Sequence, residues 1–426
     1  MGNVIDILLA QKFLPQHGGS IAWMHNVYSR WPTPVQVITH DYYNHAPGTA
    51  EFPNVAVRPA SGDHVTSPNL IMDRRDIFIN DWGIESVHRL KRYWRMMRAV
   101  GERMKETGGR HEGKSEMPST RNSELGTRNS RPLVRVHCIH GVPEAVSLIP
   151  LKWRYGRRLQ IICYAHGEEI TACCSSRQLK FLMHRAHKAI DLMIANSQNT
   201  VKYLANHIDP KKVVVINPGV ELHAFDDAPR AGRAYREKRG WNEKLIVLTL
   251  ARMDPRKNQS MVLRAVAALK DRFPNLVYVV AGGGQLRKQL EAHAKELGIA
   301  DIVEFPGEVD GATKLALYGC CDVFAMPAIQ VGTDVEGFGM VFIEAGACGK
   351  PCIAGASGGQ AEAVIDGESG YVVDGKNLEA VTGSLGRLLA DAALRERMGK
   401  AGRKRAESLD WQAVVQRTVD LVEKIA

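Results

Sequence analysis

The stretch that decides the fold of this chain is Glu336-Gly337-Phe338-Gly339-Met340-Val341-Phe342-Ile343-Glu344. Before it, residues 322–327 form a short and largely apolar run that ends at proline, which predicts a buried strand. After its two glycines, residues 340–348 predict the opening of a helix. The stretch is therefore expected at a junction of strand, loop and helix in an α/β fold, and such junctions are where open α/β sheets bind ligands.

The residue types at this junction indicate what kind of ligand it suits. Glycine lets the backbone approach a ligand closely, and the free N–H groups at a helix N-terminus favour phosphate. Glu336 is expected in the loop before the helix, whereas Glu344 is expected a little over one turn inside it. One carboxylate beside a phosphate and a second one deeper suit a ligand that carries both phosphates and hydroxyls, such as a nucleotide sugar.

This stretch resembles the Glu-(seven residues)-Glu motif of the family 4 retaining glycosyltransferases, which have the GT-B fold. Two segments that follow it, residues 349–351 and 358–364, strengthen the resemblance. It implies two Rossmann-like domains that face each other across a cleft, with the active site between them. It also implies that Glu336 orients the sugar hydroxyls and stabilises positive charge at the ring, while Glu344 binds the ribose. The implied donor-binding residues of this stretch are Gly337, Phe338, Gly339, Met340, Val341 and Glu344.

Two more segments of the second half match the family. Arg252 and Lys257 lie five positions apart across a proline turn that follows a predicted strand at 245–250, so both are expected to aim into the cleft. The resemblance implies that they hold the diphosphate leaving group. Residues 303–309 resemble the segment that lines the nucleobase, which adds Val309 to the donor-binding residues.

The N-terminal half contributes two further candidates. A first strand at 4–10 leads to Gly18 and Gly19 and then to a helix, an arrangement that favours an anion. By resemblance this glycine loop faces the donor diphosphate. His166 follows a buried strand at 159–165, and the resemblance implies that it contacts the donor sugar from the opposite domain.

The length of 426 residues predicts two domains. We expect an N-terminal acceptor-side domain over residues 1–218, with a mobile insertion at about 108–131 that is rich in Gly, Ser, Asn and Arg. The nucleotide-sugar-binding domain is expected over 219–405, and by resemblance a last helix in 406–426 returns to the N-terminal domain. Further strands are predicted at 35–39, 55–58, 134–139, 192–196, 213–216, 276–281 and 371–373.

Charge is distributed unevenly along the chain. Residues 1–222 contain 29 Lys and Arg against 19 Asp and Glu, so the remaining residues contain 27 of each and the net charge of +10 belongs to the first part alone. This part is expected to meet an anionic membrane surface, a phosphorylated lipid or nucleic acid. A basic helix predicted at 87–105 also contains Tyr93 and Trp94, which fits a membrane surface; the alternative is an ordinary amphipathic helix packed on its own domain.

Three absences limit the functional classes. The chain has no Asp-x-Asp pair, so we expect no metal, and the diphosphate charge must be met by Arg252, Lys257 and helix N-termini. Its eight cysteines form no Cys-x-x-Cys pair and are expected to be buried free thiols in a reducing cytosol. With neither a secretory signal nor an apolar run of eighteen residues, we expect a cytoplasmic protein, either soluble or peripheral on the inner face of the membrane.

These features predict a retaining hexosyltransferase that uses GDP-mannose or a UDP-hexose and needs no cofactor. The expected acceptor is a glycan, a lipid-linked sugar or a phospholipid, and no nucleic acid partner is expected. Two alternatives stay open. One is another enzyme on the same fold, a sugar-nucleotide epimerase or a phosphorylase, and the other is a non-catalytic basic adaptor for membranes or RNA.

Overall fold

The computed structural model describes residues 4–11, 19–40, 69–75, 77, 87–109 and 133–425, and two parallel β-sheets organise them. The first sheet has seven strands in the order β3-β2-β1-β4-β5-β6-β7. Its strands are β1 (Val4–Ala10), β2 (Val35–His40), β3 (Leu70–Arg75), β4 (Leu133–Cys138), β5 (Leu159–Ala165), β6 (Leu192–Ala195) and β7 (Val213–Val215). The helices of this half are α1 (Gly19–Ser29), α2 (Val87–Gly109), α3 (Val146–Tyr155), α4 (Glu168–Cys174), α5 (Arg177–Ala189) and α6 (Gln198–Leu204).

The second sheet has six strands in the order β10-β9-β8-β11-β12-β13. Its strands are β8 (Leu245–Leu250), β9 (Leu276–Ala281), β10 (Val303–Gly307), β11 (Val323–Met326), β12 (Cys352–Gly355) and β13 (Gly370–Val373). The helices after β7 are α7 (Ala228–Arg239), α8 (Gln259–Leu269), α9 (Arg287–Glu296), α10 (Gly311–Cys320), α11 (Met340–Ala347), α12 (Gln360–Ala363), α13 (Leu378–Ala390), α14 (Ala392–Glu407) and α15 (Trp411–Glu423). Because both sheets are parallel and covered on both faces, their strands are nearly continuous apolar runs, which is why the sequence predicts most of them.

The side chains of β1 point alternately to the two faces of the first sheet, and each face is covered by helices. Ile7 and Leu9 point into a core shared with α2, α3 and α5, whereas Leu8 and Ala10 point into a second core shared with α1 and α15. The last helix therefore packs on the sheet of the N-terminal half. Its buried side chains are Trp411, Val414, Val415, Thr418, Val419 and Val422. Burial of each aliphatic side chain stabilises the folded state by roughly 1.5–3 kcal/mol, so the packing of α15 on the first sheet stabilises the association of the two halves.

The predicted basic helix exists as α2, but two of the residues expected on its exposed face are buried. Tyr93 is buried in the first core and Arg92 is buried as well, so neither is available to a membrane surface. Trp94 and Leu90 are exposed, and so are Arg95 and Arg98. Apolar residues three and four positions apart share one helix face, and here that face packs on the domain's own core.

Some predictions lie outside the described residues or miss an element. The strand predicted at 55–58, residue Gly18 and residues 110–131 of the predicted insertion lie outside them, while Gly108 and Gly109 belong to α2. Strands β3, β10 and β12 were not predicted. Among the cysteines, six are buried and Cys348 is half-buried, but Cys174 is exposed, which corrects the expectation that all are buried.

Candidate active site

The central loop of the site joins β11 to α11 and carries Glu336. Gly339 has a φ of +87° at the N-cap of α11, a conformation that side chains disfavour, so glycine is required there. The Glu336 carboxylate is largely buried and accepts hydrogen bonds from Lys257 Nζ at 2.5 Å and Arg256 Nη1 at 2.8 Å. The structure therefore brings Glu336 and Lys257, which are 79 positions apart in the sequence, into direct contact.

The protonation state of Glu336 follows from its neighbours. Burial by itself would raise the pKa of this carboxyl, but the positive charges of Lys257 and Arg256 outweigh burial and hold its pKa below the usual value. Glu336 is consequently an anion at neutral pH. A fixed negative charge of this kind is suited to stabilising positive charge that develops on a sugar ring.

Arg256 is a site residue that sequence reasoning missed. Its side chain is only 7% exposed and lies near Asp334 Oδ1 at 3.0 Å, and its Nη1 also reaches the carbonyl oxygen of Val335 at 3.3 Å. It belongs to a 3₁₀ turn, Pro255–Lys257, that follows β8 and is capped by the Asp254 side chain. A basic residue next to Lys257 in a turn has no periodic signal, so only the fold shows that it points inward.

Arg252 is placed differently from Lys257. Its side chain is 76% exposed and its Nη2 lies 3.4 Å from Asp254 Oδ2. The structure thus buries Lys257 beside Glu336 and leaves Arg252 exposed to solvent.

Glu344 lies on α11 and faces α10. Its carboxylate accepts hydrogen bonds from Tyr318 Oη at 2.7 Å and Lys314 Nζ at 2.6 Å. Glu344 and Lys314 line a cavity of about 320 Å³, together with Met340, Phe225 and Asn26 of α1. Because α1 belongs to the first half and α11 to the second, this cavity lies in the cleft between them.

The other predicted donor-binding residues fall into two groups. Gly19 begins α1, and a Cβ at this position would lie 3.6 Å from Met340 Cε, so the N-termini of α1 and α11 lie close together. Phe338 and Val309, by contrast, pack in or against the core of the second half, and neither lines the cavity. Val341 also packs against that core.

His166 lies at the carboxyl end of β5 and is buried. Its Nε2 donates to the carbonyl oxygen of Ile139 at 3.2 Å, and its ring lies 5.4 Å from the ring of Trp23. Burial, with a smaller effect from the nearby His140, lowers the pKa of His166 to about 3, so the ring is neutral at pH 7. A neutral imidazole in this position can orient a hydroxyl group, but it does not supply charge.

The two halves meet directly at this point. Gly337 lies against the backbone of His166 so closely that any side chain at 337 would clash with the His166 carbonyl oxygen. Thr171 Oγ1 donates to the carbonyl oxygen of Thr333 at 2.6 Å. Glu362, in the glycine-containing segment 358–364, accepts from the backbone N–H groups of Gln198 and Asn199 at 2.8 and 2.9 Å. Thr171 and Glu362 were not predicted, because contacts between domains leave no periodic trace in a sequence.

In the part of the chain that the structure describes, no group of three His, Cys, Asp or Glu side chains is arranged so that it could hold a metal ion.

Two parallel-sheet domains with a cavity lined from both halves have the architecture of the GT-B fold. Residues 233–405 match the family model described as glycosyl transferases group 1. A GDP-mannose-dependent alpha-(1-6)-phosphatidylinositol monomannoside mannosyltransferase of Mycolicibacterium smegmatis is 35% identical over 64% of this chain and 72% of its own length. A D-inositol 3-phosphate glycosyltransferase of Kribbella flavida is 34% identical over 54% of this chain and 56% of its own.

Solved structures agree on the fold. The crystal structure of Anabaena Alr3699/HepE in complex with UDP superimposes with a TM-score of 0.73 over 99% of this chain and 100% of that chain, at 15% identity. The chain belongs to the group 1 glycosyltransferases. The family and the GT-B fold predicted from the sequence are thereby confirmed.

Proposed function

We propose that the protein is a retaining hexosyltransferase that moves mannose from GDP-mannose to a lipid-linked or phospholipid acceptor. The observation that supports a nucleoside-diphosphate sugar as the donor is the contact of Glu336 with Lys257 beside the N-terminus of α11. A cation, a helix N-terminus and an anion at one point suit a reaction in which negative charge grows on a diphosphate while positive charge grows on a sugar. The choice of GDP-mannose and a lipid acceptor is supported by the Mycolicibacterium relative, which is named a GDP-mannose-dependent mannosyltransferase of phosphatidylinositol monomannoside.

In the proposed reaction the bond between the anomeric carbon and the diphosphate oxygen breaks, and the leaving diphosphate takes the electron pair. Lys257, Arg252 and the N–H groups that begin α11 would meet this charge. Glu336 would stabilise the oxocarbenium-like ring, and Glu344 would bind the ribose. The acceptor hydroxyl would attack from the face that the diphosphate leaves, which retains the anomeric configuration.

The proposed donor is tested by incubating the enzyme with a panel of nucleotide sugars and following both thermal stabilisation and hexose release. We expect GDP-mannose to stabilise the enzyme most, and we expect hexose loss to depend on added phosphoinositide acceptor. Conversion of the nucleotide sugar without any acceptor would instead identify an epimerase, and consumption of inorganic phosphate would identify a phosphorylase. If no nucleotide sugar binds, the non-catalytic adaptor becomes the better description.

A lipid acceptor requires contact with a membrane, and the first half offers a surface for it. Helices α2, α3 and α5 cover one face of the first sheet and pack on one another. Their outer side, named here the α2–α3–α5 surface, exposes large apolar side chains: Leu90, Trp94, Trp153 and Phe181. Trp153 is 72% exposed, and within the described residues no helix is long and apolar enough to span a bilayer.

Basic residues surround these apolar side chains. Arg98 lies over the ring of Trp94 at 5.3 Å, and Arg185 lies over the ring of Phe181 at 5.9 Å. Neither α3 nor α5 contains an acidic residue. Aromatic side chains that accompany cations suit the headgroup layer of an anionic bilayer, where each basic residue contributes about 1 kcal/mol.

We expect the protein to sediment with phosphatidylserine liposomes at low salt and to be released at high salt, because salt screens the attraction. The variant with Arg95→Ser, Arg98→Ser and Trp153→Ser should sediment less. Arg92 is left unchanged because it is buried. A control with Lys376→Ser and Lys400→Ser, two exposed cations of the second half, should sediment like the wild type. Wild type that stays in solution at low salt would contradict membrane binding, and equal sedimentation of the first variant would contradict this surface.

A further inference from the structure

One oxygen atom of the candidate site is shared by two cations. Glu336 Oε2 accepts from both Lys257 Nζ and Arg256 Nη1. Both of these side chains are largely buried. The same carboxylate therefore neutralises Lys257, which the proposed function needs for the diphosphate of the donor.

The two cations differ in how firmly they are held. The planar Arg256 guanidinium contacts Asp334 Oδ1 and the carbonyl oxygen of Val335 in addition to Glu336 Oε2. Three protein oxygens therefore surround it. Within the described residues, the Lys257 ammonium group contacts the Glu336 carboxylate alone. An ammonium group on a flexible stem is a mobile point charge, whereas a guanidinium group that is bound on two sides keeps its place. Lys257 is consequently the partner that can leave Glu336.

We propose that Arg256 is a positioning residue that holds Glu336 in place and so allows Lys257 to leave it for the donor diphosphate. This proposal rests on the proposed function. While Lys257 faces the diphosphate, Glu336 keeps a cation and remains an anion beside the sugar. Without Arg256, Glu336 has Lys257 as its remaining basic partner, so the carboxylate competes with the nucleotide for that ammonium group.

Direct contact between Arg256 and the nucleotide is the competing explanation. The 7% exposure of Arg256 argues against it, and so do the protein oxygens that surround its guanidinium. The two explanations differ in one respect that can be measured. If Arg256 acts through Glu336, then removing Glu336 as well restores nucleotide binding.

The experiment is a double-mutant cycle in which GDP and UDP are titrated by calorimetry into wild type, Arg256→Gln, Glu336→Gln and the double variant. We expect Arg256→Gln to weaken binding of the preferred nucleotide roughly tenfold, which corresponds to about 1.4 kcal/mol. Glu336→Gln should bind the nucleotide at least as tightly as wild type, because Lys257 is then free. The double variant should bind like Glu336→Gln.

The outcomes separate this proposal from the proposed function. Unchanged binding by Arg256→Gln would overturn the positioning role, and so would a double variant as weak as Arg256→Gln. Wild type that binds neither GDP nor UDP would overturn the proposed function, and this proposal with it. Thermal melts show whether each variant folds, and Arg256→Lys, which keeps the charge but loses the planar guanidinium, should lie between wild type and Arg256→Gln.

A second readout does not depend on nucleotide affinity. Arg256 is one of the cations that hold the pKa of Glu336 below its usual value. Replacing it with a neutral residue should raise that pKa, so the fall in turnover on acidification should begin at a higher pH in Arg256→Gln than in wild type. An acid limb that does not move would overturn the positioning role.

Discussion

Replacement of Glu336 by glutamine is expected to lower turnover by roughly two to three orders of magnitude, the range seen when one group that stabilises transition-state charge is removed. Glutamine keeps the size of the side chain and removes the charge. In the donor complex the sugar is neutral, whereas in the transition state it is positively charged, so the loss falls mainly on turnover. Nucleotide binding should not weaken, since Lys257 loses its competing carboxylate.

Steady-state kinetics and calorimetry on the same preparations test this expectation. The matched control is Glu368→Gln, which makes the same chemical change at an exposed carboxylate of the same half. The control should keep wild-type turnover. Near-normal turnover of Glu336→Gln would remove Glu336 from the proposed mechanism.

Replacement of Lys257 by alanine is expected to give the second large effect, a loss of nucleoside diphosphate binding and of turnover together. The diphosphate would lose the buried cation of the site, and the Glu336 carboxylate, no longer neutralised by Lys257, would repel the diphosphate. A lost hydrogen bond to a charged group costs about 1.5–3 kcal/mol, which corresponds to an affinity loss of roughly tenfold to a hundredfold. Arg252→Ala should weaken binding less, because Arg252 is exposed to solvent and to salt.

Titration of GDP and UDP into Lys257→Ala and Arg252→Ala gives both affinities. The same preparations allow a test of metal independence, which the absence of an Asp-x-Asp pair predicts. Wild-type turnover should be unchanged by a chelator. Turnover that the chelator abolishes and magnesium restores would show that a divalent ion, and not Lys257 with Arg252, carries the diphosphate charge.

The sequence by itself determined the fold class, the family and most of the strands. Strands β1, β5, β8 and β9 have the predicted bounds, because buried parallel strands are short apolar runs whose ends are marked by polar residues, proline or glycine. The loop with Glu336 was found for a similar reason. A strand, two glycines and the start of a helix are local features, and they follow one another directly in the chain.

Only the tertiary structure decided which charged side chains are buried and which of them contact each other. The predicted Arg252 is exposed, whereas Arg256, four positions later in the 3₁₀ turn, is buried, since the direction of each side chain depends on what packs around it. The helix predicted to fit a membrane surface buries Tyr93 and Arg92 for the same reason, while the exposed Trp153 and Phe181 lie on α3 and α5. Glu362 reaches across the cleft to backbone N–H groups of α6. Such contacts join residues far apart in the chain, and no local pattern records them because the partner lies on another element.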